Sequence, residues 1–78
     1  MSYSEYIDHI IFLINLITRE ETGAPGQLAE KLNVSKRTIF RYLGELRGKG
    51  AKIRFSREKN TYILENKFIF PKDFYKVL

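Results

Sequence analysis

Residues 25–50, PGQLAEKLNVSKRTIFRYLGELRGKG, limit what this chain can fold into more than any other stretch. Two short apolar stripes with helical spacing are separated there by only Asn33, Val34 and Ser35. So short a link forces two consecutive helices into contact at a steep angle. The first is expected from about Pro25 to Leu32, with Pro at the first helical position, where a missing N–H costs nothing, and Gln27 near the third. Leu28, Ala29 and Leu32 give it one apolar face, and small Ala29 at the crossing lets the helices approach. It stops at Asn33, one of the few non-Gly types that tolerate positive φ. Ser35 is placed to cap the second helix, roughly residues 36–48, with Val34 and Ile39 as staple residues on either side of the cap. Ile39, Tyr42, Leu43 and Leu46 make its buried stripe, and Gly48 and Gly50 terminate it.

The flanks complete an α+β domain. Residues 4–18 read as a helix capped by Ser4, with Ile7, Ile10, Ile11, Ile14 and Ile17 on one face and Phe12 and Leu16 nearly opposite; Gly23 is expected to close it. After Ala51 the period changes to two. Ile53 and Phe55 alternate with Lys52, Arg54 and Ser56, then Tyr62 and Leu64 alternate with Thr61, Ile63 and Glu65. Pairing Phe55 with Tyr62 pairs Ile53 with Leu64 and leaves Arg57 to Asn60 as a polar hairpin tip. The ending FIFPKDFYKVL is too apolar for a solvated tail and too broken by Pro71 for one helix, so an extended piece and a helical turn are expected. With 78 residues and no Cys, the chain has room for one domain that folds on packing alone. The division expected is residues 1–65 as that domain and residues 66–78 as an apolar extension packing on the first helix or in a dimer interface.

Charge position says more than the net charge of +5. Residues 1–35 carry −3, residues 36–59 carry +7 and residues 60–78 carry +1. A basic block of this kind, centred on a surface helix, points to a polyanionic partner.

The stretch LAEKLNVSKRTIFRYLGELRGKGAKIRFSREKNTYIL resembles the winged helix-turn-helix of the deoxyribose-operon repressor and helix-turn-helix type 11 families. The resemblance implies three helices followed by a β-hairpin wing, and a sequence-specific double-stranded DNA-binding protein of the kind that serves as a small bacterial transcription regulator. Asn33 stands where Gly is commoner in those families, and Tyr42 stands where Asp often follows the Arg. The residues of the third helix support the same role independently. With Ile39 inward, Arg37, Arg41, Gly44 and Gly48 point outward, a narrow cationic face that fits a major groove about 12 Å wide. Arg37 and Arg41 are expected to read bases, with Thr38 as a shorter-range helper, and Ser35 and Lys36 to hold a phosphate beside the exposed N–H groups. Gln27 is a further phosphate candidate by the resemblance, with helix capping as its other role. Phe40 is expected to pack against the hairpin rather than touch a thymine methyl. In the wing, Arg54, Arg57 and Lys59 are candidates for the backbone or the adjacent minor groove.

Other chemistries lack their residues. His9 stands beside Asp8 without a Cys or second His at ligand spacing, so no metal is expected, and no cofactor or enzymatic activity either. The apolar run from Ile10 to Ile14 is far shorter than the roughly 20 residues a bilayer span needs, and no leader is visible, so the chain reads as cytoplasmic. Exposed Phe12 and Leu16, with Phe68, Phe70 and Phe74 in the tail, are candidates for a homodimer interface. The competing readings are a winged-helix docking module for another protein, and the N-terminal DNA-binding segment of a longer regulator. The bases kept on the third helix disfavour the first, and the apolar ending without a polar linker disfavours the second.

Overall fold

The computed structural model describes residues 2–68 and contains five elements. They are α1 (Tyr3–Arg19), α2 (Pro25–Leu32), α3 (Lys36–Gly48), β1 (Ile53–Ser56) and β2 (Thr61–Leu64). The strands pair antiparallel with Ile53 opposite Leu64, Phe55 opposite Tyr62 and Ser56 opposite Thr61, the register that the alternation predicts. The result is a winged helix: three helices, then a two-stranded hairpin. No described helix is long and apolar enough to cross a membrane.

The helix-turn-helix forms as its residues dictate. Pro25 opens α2, and Asn33 closes it at φ 57°. The Ser35 hydroxyl then accepts the Thr38 N–H at 3.1 Å to start α3. Ile39, Tyr42, Leu43 and Leu46 are buried together with Leu28, Ala29 and Leu32, while half-buried Val34 packs against them. Fully burying a Leu or Ile side chain is worth roughly 1.5–3 kcal/mol, so the buried Leu and Ile residues here contribute substantially to the stability of the domain.

Helix α1 differs from expectation in three respects. Its cap is Ser2, whose hydroxyl accepts from Glu5 N at 3.2 Å, so Ser4 lies inside the first turn. It is closed by Glu20 at φ 59°, with Glu21 N–H returning to Leu16 O at 2.9 Å. Gly23, also at positive φ, instead shapes the approach to α2, where a Cβ would stand 2.7 Å from Gln27 Oε1. The buried face is Ile7, Ile10, Leu13, Leu16 and Ile17, and Ile11 is 39% exposed. Leu13 and Leu16 also sit three or four residues from their neighbours, so spacing alone allows the stripe to turn either way; packing of α1 on both α2 and β2 draws it toward the leucines. Leu16 is therefore a core residue at 9% exposure and not an outward partner of Phe12, which remains 44% exposed.

The hairpin also departs from simple alternation at its tip end. Ser56 and Thr61, expected to face water, are buried. For Thr61 the cause is the α1–α2 connection, which docks on β2. Thr22 N–H donates to Thr61 Oγ1 at 3.0 Å, Tyr62 N–H donates to Thr22 Oγ1 at 2.8 Å, and the two hydroxyls lie 3.0 Å apart. Thr22 thus substitutes for a third strand on one side of β2. On the other side of the hairpin, Arg47 donates from Nε and Nη2 to Ile53 O at 3.1 and 2.9 Å, joining the last turn of α3 to β1. The exit from β2 is fixed by Asn66, which accepts from Lys52 N at 3.0 Å and donates to Gly50 O at 2.9 Å.

Phe68, a dimer-interface candidate, packs on the core of its own chain around a shallow apolar hollow shared with Ile14, Ile17, Leu46 and Leu64. Phe70 and Phe74, with the helical turn expected in the ending, lie outside the described residues.

Replacing Thr61 by Val keeps its shape but leaves the buried Thr22 N–H without its acceptor. Urea denaturation is expected to show Thr61→Val destabilised by about 1–3 kcal/mol, with Thr61→Ser recovering most of that; equal stability of Val and wild type would remove the threonine pair from the account.

Candidate nucleic-acid interface

The outer face of α3 follows from its inner one. Because four buried positions occupy one side of a helix of 13 residues, the positions opposite them face water, and Thr38 on the flank is half-buried. Arg37, Phe40, Arg41, Gly44 and Gly48 are all exposed. A Cβ built on Gly44 or Gly48 meets nothing within 4 Å among the described residues, so with respect to them this face is bare backbone along its C-terminal half. Among the described residues, Arg37 and Lys36 make no ion pair. The Lys36 stem runs beside the start of α2, with its Cδ 4.0 Å from where a Gly26 Cβ would stand.

Arg41 lies over its neighbour, with the guanidinium carbon 5.6 Å from the centre of the Tyr42 ring. Tyr42 itself is fully buried, edge-on to Tyr6 with ring centres 5.6 Å apart, and its hydroxyl is 3.1 Å from His9 Nδ1. Burial raises the pKa of this hydroxyl, and the charge and hydrogen bond of Arg41 pull the other way. The residue that stands where Asp is commoner thus belongs to the contact between α1 and α3. His9, half-buried, has this contact as its role. One turn away, the Tyr6 hydroxyl donates to Glu45 Oε1 at 2.8 Å, and burial together with that carboxylate pushes its pKa well up. Glu45 is therefore drawn toward α1 and away from the outward arginines.

The remaining sequence candidates divide by what they already hold. Ser35 spends its hydroxyl on the cap, accepting from Thr38 N and donating to Thr38 Oγ1 at 3.1 Å, which also ties the half-buried Thr38 side chain into the first turn. Gln27 is a capping residue: its Oε1 accepts from Ala24 N at 2.7 Å and from Asn60 Nδ2 at 3.3 Å. Ala24 has no side-chain acceptor with which to complete a reciprocal box.

In the wing, Arg54 pairs across the strands with Glu65 at 2.6 Å, and Lys59 reaches back to Glu20 at 3.0 Å. Both pairs are exposed, and such pairs are worth about 0–1 kcal/mol, so each cation can exchange its carboxylate for a phosphate. Arg57 has no ion pair among the described residues. Of the bases in residues 36–59, Arg47 is structural, bound to Ile53 O, and burial raises the pKa of nearby Tyr62 while the charge of Arg47 opposes it. A basic residue in the last turn of a helix, six before the first residue of a strand, is the only sequence signal of that role.

Two features of the interface differ from expectation. Phe40 does not pack on the hairpin; it is 53% exposed on α3. The wing tip is pinned through Asn60 and Lys59 to the α1–α2 corner, a contact that needs the folded proximity of segments more than 30 residues apart. Among the described residues there is no group of three or more His, Cys, Asp or Glu side chains able to hold a metal ion.

No curated protein and no solved structure matches the chain. A family model described as an HTH domain does match, over residues 12–63, which takes in the C-terminal part of α1, the helix-turn-helix and the hairpin through Ile63. By that match over more than half of its length, the chain belongs to the helix-turn-helix type 11 family.

Proposed function

We propose that this chain is a sequence-specific double-stranded DNA-binding protein, a small bacterial transcription regulator acting in the cytoplasm. The observation that carries the reading is the outward face of α3, where exposed Arg37 and Arg41 stand beside Gly44 and Gly48, and where a Cβ on either glycine would meet nothing among the described residues. Membership of a helix-turn-helix family supports the same conclusion. In this reading α3 lies in the major groove, and Arg37 and Arg41 take guanine O6 and N7. Arg41 reaches the bases by leaving the Tyr42 ring, a contact worth about 0.5–1 kcal/mol at an exposed site. Thr38, tied to Ser35, contributes at short range. Lys36 and the N–H groups of the first turn of α3 hold a phosphate, together with Ser35, which gives up its bond to Thr38 Oγ1, and the amide nitrogen of Gln27, which has no bond among the described residues. Arg57, then Arg54 and Lys59 released from their carboxylates, meet the backbone or the adjacent minor groove.

The protein in this reading is a homodimer whose domain, residues 1–65, is extended by an apolar segment, residues 66–78. Exposed Ile11 and Phe12 on α1 and the aromatic ending support it, and two-fold symmetry matches the two half-sites of a palindromic operator.

Binding is expected to weaken steeply with salt, because each neutralised phosphate releases counterions. A dimer making about 6–10 phosphate contacts loses roughly 10³–10⁵ in affinity between 50 and 200 mM salt, a fall that fluorescence anisotropy on duplexes selected from a random library measures. Failure to bind any duplex at about 50 mM salt excludes the DNA reading.

On a selected site, Arg37→Ala and Arg41→Ala are each expected to cost about 1–3 kcal/mol and to relax base preference, whereas Arg57→Ala weakens all sequences alike. Both arginine variants binding as tightly as wild type, with unchanged circular dichroism, would place recognition elsewhere.

Light scattering at micromolar concentration is expected to find a dimer for wild type and a monomer for Phe12→Ser. A wild type that stays monomeric removes the dimer from this reading, and a dimer lost only when the chain is cut after Phe68 moves the interface into the ending.

A further inference from the structure

The duplex reading leaves one side chain of α3 without a task. Among the described residues the exposed large hydrophobics are Tyr3, Ile11, Phe12 and Phe40; Phe40 is the most exposed, at 53%, and the other three lie on α1. The core is complete without it, since Ile39, Tyr42, Leu43 and Leu46 fill the buried stripe of α3 and Phe40 does not join the half-buried residues packed on the cluster. At about 100° per residue, Phe40 sits about 60° from Arg37 and about 40° from Gly44 around the helix axis. It therefore belongs to the cationic outward face. The residue one turn on is Gly44, whose absent side chain leaves the flank of the ring open.

An apolar ring held at that face meets a surface with few apolar features. Phosphates are charged, and the major-groove edges of guanine, cytosine and adenine offer hydrogen-bond donors and acceptors. A phenyl ring has nothing to give those groups, and placing it against them removes their water without replacing it. The one apolar group that projects into the major groove is the 5-methyl of thymine. Lys36, Arg37 and Arg41 surround the ring with cations, which fits a polyanion better than an apolar protein surface.

We propose that Phe40 is a specificity-determining residue that packs against the 5-methyl group of a thymine in the half-site read by Arg37 and Arg41. The proposal rests on the duplex reading above, and its test is built to separate the two. The tightest duplex from a random library is prepared with each thymine replaced singly by uracil, which deletes the methyl and keeps the pairing. Affinities are measured by anisotropy at fixed salt for wild type, Phe40→Ala and Phe40→Leu, with folding checked by circular dichroism; the position is exposed, so these variants leave the core intact.

The expected result is a fixed thymine in each half-site at which uracil weakens wild type about fourfold, the worth of one buried methyl. Phe40→Ala binds the thymine duplex more weakly and no longer distinguishes uracil from thymine, while Phe40→Leu keeps part of the difference. Wild type that binds the selected duplex but shows no uracil effect overturns the proposal while leaving the duplex reading standing. So does a uracil effect of equal size in Phe40→Ala, which assigns the methyl to another residue. Wild type that binds no duplex overturns the duplex reading and the proposal with it, and leaves the exposed ring to a protein partner.

Discussion

The division of α3 into two faces is the constraint on which the rest of the structure depends. Four buried residues, Ile39, Tyr42, Leu43 and Leu46, fix the rotation of the helix about its own axis against α1 and α2. Once that rotation is fixed, the outward set is fixed too. Turning the helix by one residue, about 100°, would bury Phe40 and expose Ile39, and the arginines would move off the open face. The energetic cost of that slip is the loss of several buried side chains at roughly 1.5–3 kcal/mol each. Core packing therefore sets the aim of the side chains that point away from it.

Most of this was legible in the sequence because it is local. Pro25, Asn33 and Ser35 are punctuation with a known mechanism, and they set both ends of α2 and the start of α3 to the residue. The hairpin register followed from matching Phe55 to Tyr62 across a polar tip. What failed was decided by contacts between distant segments. The face of α1 could be drawn through its isoleucines or through Leu13 and Leu16, and only the placement of α2 and β2 chooses between them. Burial of Thr61 depends on Thr22, nearly 40 residues earlier, and no alternation rule carries that information. The outward arginines were legible for the same reason as the helix that carries them, but the exposure of Phe40 was not, because an aromatic near a hairpin invites a packing assignment.

The basic block between residues 36 and 59 is likewise not a uniform resource. Arg47 is used to fasten α3 to β1, Arg54 and Lys59 hold exposed carboxylates, and Arg41 rests on Tyr42. Lys36, Arg37 and Arg57 have no ion pair among the described residues. Counting charges by segment locates the partner-facing side of the molecule, but the hydrogen bonds decide which cations are ready to meet a polyanion and which must first let go of something else.

The acceptor at the corner of the molecule is Gln27 Oε1, shared between the backbone of its own helix at 2.7 Å and the wing tip at 3.3 Å. The two bonds are unequal. The short one belongs to the cap, and the long one, with the exposed pair between Lys59 and Glu20, joins the wing tip to the helices. If Asn60 lifts away, α2 keeps its cap and its acceptor is no longer divided. The cap of α2 thus does not depend on the wing tip: the Asn60 bond and the exposed Lys59–Glu20 pair can be given up without removing the bond that starts the helix.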